Sequence, residues 1–187
     1  MKTLGDADAG KVALDPLSPV SVTQMRQLVS PFANNQPGPR DNRSDPVEIT
    51  VYTLTVELVG SKIEGDSDVH LVVADPNDPT ATMIVEFPDP ACIEAQDAAL
   101  VARMTNARSA VLQAVPTLVA KIAAGAPIPA AAMNPQTQKM LLQPMSGLAQ
   151  INGVGFFDTL HGQAGVAPNG VELHPVLDFN VLPAPGP

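Results

Sequence analysis

Cysteine is almost missing from this 187-residue chain, Cys92 being the only one. No intramolecular disulfide can form, and no cysteine-based zinc cluster can assemble within one chain. That usage fits a reducing compartment and leaves the localisation open. With no cation close by in sequence, Cys92 reads as an inert small apolar residue. Aromatic residues make up 3% of the chain and tryptophan is absent, while 45% of residues are hydrophobic. The chain is therefore expected to fold, around an aliphatic core.

Positive charge is scarce as well. Ten Lys and Arg stand against nineteen Asp and Glu, a formal net charge of -9, and no Lys or Arg follows Lys139. Binding to a phosphate backbone draws on clustered cations that release counterions, so no nucleic-acid partner is expected. Long apolar runs are lacking too. Residues 111–124 are broken by Gln113, Pro116 and Lys121, short of the roughly 20 residues that span a bilayer, so no transmembrane segment is expected. The opening MKTLGDADAGKVALDP has no apolar signal core, and the chain as written is not expected to be a secretory precursor. Neither a phosphate-cradling glycine loop nor a GxSxG elbow is present, which removes support for P-loop, Rossmann and serine-hydrolase chemistry. No internal repeat is found, and the sequon Asn42-Arg43-Ser44 is treated as chance.

What is present divides the chain into three parts. Residues 1–46 contain Pro16, Pro19, Pro31, Pro37, Pro39 and Pro46 and read as an extended Pro-rich arm with one short helix over 21–28. Residues 47–181 form the domain, and 182–187 a C-terminal tail. Within the domain, VEITVYTLTVELV (47–59) is a strand whose apolar phase flips near Tyr52 and Thr53, as at a β-bulge that lets a sheet curl. VHLVVAD and TMIVEF are the next two strands, with a turn around Asp78. A helix over about 91–124 follows, opening at Asp89 or Pro90, with Leu100, Met104, Ala107, Val111 and Val115 at helical spacing and Pro116 inside it. Residues 125–147 are an Ala/Pro-rich connector. INGVGFFDTL and VELHPVLDFNV are the last strands. The order β-β-β-α-β-β with a bent first strand predicts a mainly β fold, a five-stranded Greek-key barrel of the OB type. An α+β split sheet is the alternative.

All three histidines lie in motif-like segments. Alternation puts Asp66, Asp68 and His70 on one face of the second strand. A hairpin centred near Asp78 sets His70 opposite Glu86, a carboxylate between apolar neighbours that needs a partner. Glu172 and His174 share a face of the last strand, opposite Val171, Leu173, Leu177 and Phe179. Asp158 and His161 end the fourth strand and lead towards Asn169. Imidazoles and carboxylates together are ligands for divalent metals and also the parts of acid/base pairs. On this reading His70, Glu86, His161, Glu172 and His174 are candidate metal ligands, and Asp68 and Asp158 candidate catalytic bases. The bland readings are a turn for Asp66 and Asp68, a buried imidazole paired with a carboxylate for His174, and an edge or bulge at Pro175.

The segments GDSDVHLVVADP, TMIVEFPDPAC, Asn106-Ala107-Arg108 and GVGFFDTLHGQAGVAPNGVELHPVL together resemble an uncharacterised family of bacterial proteins with the patterns GDxDxHL, TMIxEfP and GFFDxxHGQxGxAPNGxELHPV. The resemblance covers roughly residues 47–181. It implies a small β-barrel domain, often in exported proteins, with no established activity, and it groups Asp66, Asp68, His70, Glu86, Asp158, His161, Asn169, Glu172 and His174 as one set. This chain differs in its Pro-rich arm and its Ala/Pro-rich insertion. Three functional readings follow: a metal-dependent hydrolase of phosphodiesters or other esters, a non-catalytic binding module, and a structural protein that forms homo-oligomers or filaments through its two arms.

Overall fold

The computed structural model describes residues 1–32, 42–134, 136–137 and 141–183, with the backbone alone at Pro16 and 121–123. The rest of the arm, part of the connector and the end of the tail lie outside the described residues. The strands are β1 (Ala13–Pro19), β2 (Thr50–Ile63), β3 (Val69–Asp75), β4 (Asp78–Phe87), β5 (Gln143–Pro144), β6 (Leu148–Phe157) and β7 (Val171–Val181). The helices are α1 (Val22–Met25) and α2 (Ala98–Ala123).

Five strands close a ring in the order β2-β3-β4-β7-β6, and β6 pairs back onto β2. Neighbours are antiparallel except β4 and β7, which run parallel. Helix α2 lies between β4 and β6 in the chain. This is the expected OB-type barrel, and closure of the ring removes the split-sheet alternative.

Alternation explains the interior. Tyr52, Leu54, Val56 and Leu58 of β2 join Val69, Leu71 and Val73 of β3 and Met83, Val85 and Phe87 of β4 in one core. Ala107, Val111 and Leu118 of α2 pack into the same cluster, so the helix stoppers the barrel with the stripe that its spacing predicts.

Several boundaries differ from expectation. Residues Val47–Ile49 form a 3-10 turn rather than strand, and alternation from Tyr52 to Leu58 is unbroken. The apparent phase flip arises because Val51 is buried on the outer side, in a second cluster with Leu4, Met104, Val154 and Leu177. The irregularity of β2 falls later, between Leu58 and Gly60, and the strand continues to Ile63. A separate 3-10 turn, Pro90–Cys92, is capped by Asp89. Helix α2 begins only at Ala98, where the Asp97 carboxylate accepts from the amides of Ala99 and Leu100, and it runs through Pro116 unbroken. On β7, Leu173 and Val176 both enter the core while Leu177 joins the outer cluster. The register shift opposite Gly153 and Gly155 supplies the extra residue at His174-Pro175, a bulge that resets the phase.

The described part of the arm covers its own barrel. Strand β1 runs parallel to β2. The Ser21 capping box starts α1, whose Val22 and Met25 are fully buried in the main core. The Asp75 carboxylate, at the end of β3, accepts from the amides of Thr23 and Asn77. Arg43 donates to the Asp6 carboxylate and to the carbonyls of Met1 and Glu48, which fastens residues 1–6 against the outer wall.

Candidate metal centre

Three polar side chains cross the outer face of the barrel in one row. The β3/β4 register pairs His70 with Glu86. The β4/β7 register pairs Ile84 with Glu172 and Val85 with Leu173, so the next step brings Glu86 beside His174. Glu86 therefore serves both imidazoles. Its Oε1 lies 3.0 Å from His70 Nδ1 and its Oε2 2.9 Å from His174 Nδ1.

Further carboxylates surround the row. Glu64 Oε1 lies 3.3 Å from His70 Nδ1, Glu172 Oε1 3.4 Å from His174 Nδ1, and Asp68 Oδ2 3.5 Å from His174 Nε2. The last contact lacks hydrogen-bond alignment, and His174 Nε2 and Asn152 Oδ1 are buried polar atoms left without a hydrogen-bond partner among the described residues. Lys2, delivered by the fastened arm, places its ammonium 3.0 Å from Asp158 Oδ2 and 3.9 Å from both Glu86 Oε2 and Glu172 Oε1. Its Nζ sits 5.5 Å from the centre of the Phe156 ring, which also packs edge-on against His174.

Two neighbouring segments hold this set in place. Arg108 of α2 donates to the carbonyls of Phe87 and Ser67, clamping the β2/β3 turn against the end of β4. Asp68 Oδ1 accepts from the amide of Asp89. On the other side His70 Nε2 faces the carbonyl of Ala164. The adjoining Gly165 has φ +76° and comes so close to Val72 that a Cβ there would lie 2.2 Å from Val72 Cγ1, a position that only glycine can occupy.

Burial sets the electrostatics. His174 and Glu172 are 0% and 2% exposed. Burial alone would push the His174 imidazole down, but the Asp68, Glu172 and Glu86 carboxylates outweigh it and raise the imidazole to about 10, a cation at neutral pH. Of these contacts the 2.9 Å one to Glu86 carries most weight, because the Asp68 contact is longer and misaligned. Burial and the negative charge of Glu86 push the Glu172 carboxyl up, although His174 and Lys2 oppose the rise. Glu86 is held well below the usual carboxylate range: burial acts upward, and its bonds to His174 and His70 and the charges of His174 and Lys2 overcome it.

The structure brings together His70, Glu86, Glu172, His174 and Asp68, with Asp158 at the rim on Lys2. It does not bring in the rest. His161 is exposed in the loop, its amide donating to the Gln163 side chain. Asn169 donates to the carbonyls of Met25 and Leu28 and so holds α1. Asp66 accepts from the amide of Asp68 and shapes the turn. Asp158 pairs with Lys2 and with the amide of Thr159.

Lys2, Glu64 and Arg108 escape a site reading of the sequence. Glu64 was legible in principle: a hairpin symmetric about Asp66 sets it on the His70 face, and the Glu64 amide does bond the Asp68 carbonyl. Lys2 has no sequence signal.

Among the described residues, two groups each have ligand atoms within 4.8 Å of one another, Glu64 with His70 and Glu86, and Asp68 with Glu86 and His174. Mixed imidazole and carboxylate donors suit zinc, manganese and iron. The row occupies the face where OB barrels commonly bind their ligands, the β3/β4 surface flanked by the turn at 64–68 and the loop at 158–170. No helix among the described residues is long and apolar enough to cross a membrane. Compared with known proteins, the chain matches no family model, no curated protein and no solved structure.

Proposed function

We propose that this barrel is a metal-binding protein that takes a divalent first-row transition metal on its outer face through His70, Glu86 and His174, with Glu64 and Asp68 completing the donor set. The observation that carries the reading is the placement of two buried imidazoles on the two oxygens of one carboxylate, with further carboxylates beside each. His174 is fully buried, and its Nε2 meets Asp68 Oδ2 at 3.5 Å without hydrogen-bond alignment. Of the hydrolase expectation this reading keeps the metal and names no substrate.

A second reading is favoured by the pairing of the groups among themselves. His70 holds the 158–170 loop through Ala164, and Lys2 ties the arm to Glu86, Glu172 and Asp158. In that reading the cluster is a self-neutralised clasp in a non-catalytic module.

Elemental analysis of native untagged protein after dialysis separates the two. Metal at one or more ions per chain that the double variant His70→Ala/His174→Ala loses supports the metal centre. Metal-free native protein that stays metal-free after incubation with zinc, manganese and cobalt supports the clasp.

A further inference from the structure

Resting on the metal-binding reading, we infer that the centre holds two metal ions bridged by the Glu86 carboxylate. The two donor groups share Glu86 and nothing else: Glu64 and His70 belong to one, Asp68 and His174 to the other. The histidines approach different oxygens of Glu86, Oε1 at 3.0 Å and Oε2 at 2.9 Å. A carboxylate whose oxygens face separate imidazoles is arranged to bridge two cations, as in two-metal sites whose ions stand roughly 3.5–4 Å apart.

Glu64, Asp68, Glu86, Asp158 and Glu172 gather at one place against the permanent cations Lys2 and Lys62, an excess of negative charge that attracts divalent cations.

The two positions are unequal. Glu64 is about one-third exposed (34%), whereas Asp68 is 10% and His174 0% exposed, with Lys2 alongside. The Glu64/His70 position is the more exposed and fills first, displacing Lys62, whose Nζ lies 2.7 Å from Glu64 Oε1. The Asp68/His174 position fills second, because it is buried and Lys2 must give way.

The test is a titration of metal-free protein with Mn2+, followed by calorimetry and electron paramagnetic resonance. The inference expects two ions per chain in two steps, with an exchange-coupled signal once both are bound. Glu64→Gln, at the partly exposed rim, weakens the first step at least about tenfold and leaves the second in place, while Asp68→Asn does the converse. Glu86→Gln abolishes the coupling. One ion per chain, or two ions without coupling, overturns the bridged pair and leaves the metal-binding reading standing. No ion at all overturns both.

Discussion

Glu86 on β4 and His174 on β7 meet at 2.9 Å, Oε2 against Nδ1, on the parallel strand pair that closes the barrel. In the metal-free protein this contact neutralises a buried imidazolium. Glu86→Gln leaves that charge with poorer partners and is expected to destabilise the metal-free protein by about 3–5 kcal/mol, the range for breaking one side of a buried pair. Urea unfolding in the presence of chelator measures it. A loss no larger than that of an exposed ion pair contradicts the electrostatic account.

Lys2 is the resident cation of the cluster. Its side chain is 40% exposed, and its ammonium lies 3.0 Å from Asp158 and 3.9 Å from Glu86 and Glu172. Lys2→Ala is expected to cost only about 0.5–1 kcal/mol of metal-free stability. Metal affinity is expected to rise, because a competing positive charge is gone. Calorimetric titration of the two proteins compares them, and weaker metal binding by Lys2→Ala contradicts the competition.

Asp75 ties the arm to the barrel, accepting from the amides of Thr23 and Asn77. Burial pushes its carboxyl up, but these amides and the Thr23 and Ser21 side chains hold it below the ordinary value. A lowered folded-state value means that this contribution is present above the unfolded Asp value of about 3.9 and is lost as pH falls through the folded value. Asp75→Asn is therefore expected to cost about 1–3 kcal/mol at neutral pH. The gap from wild type narrows below about pH 4. Chemical denaturation across pH 2.5–7 checks this, and a gap that widens in acid contradicts it.

Gly165 seats the 158–170 loop on Val72. Gly165→Ala meets both the left-handed backbone and the 2.2 Å approach, and is expected to cost about 2–4 kcal/mol. Val72→Ala relieves the clash, so the double variant should be more stable than the two single effects predict. Additive effects would place the loop elsewhere.

Much of this was legible in the sequence, for identifiable reasons. Strand order and the helix after the third strand define the barrel, because alternation and helical spacing are local signals. The hairpin is expected to centre near Asp78, but it turns at Pro76-Asn77, and the register shift between Ala74 and Asp75 restores the pairing of His70 with Glu86. Alternation also places Glu172 with His174, although the bulge at His174-Pro175 moves Val176 inward and Leu177 outward, which period-two reading cannot foresee. The first strand is expected to end at Val59, yet residues 60–63 continue β2, and that early stop hides Glu64. His161 reads as a ligand by proximity to Asp158, but the loop at Gly162 turns it outward. Lys2 reaches the site through an arm whose course depends on the Arg43 contacts with Asp6 and Met1, a tertiary arrangement with no local signature.

The central claim is that His70, Glu86 and His174 form a metal centre, and calorimetric titration of metal-free protein with Co2+ and Zn2+ tests it most directly. Saturable binding is expected that the double variant His70→Ala/His174→Ala abolishes or weakens at least about a hundredfold, with the variant still folded by circular dichroism. Absence of saturable heat with either ion, or binding that persists unchanged in the folded double variant, would contradict it.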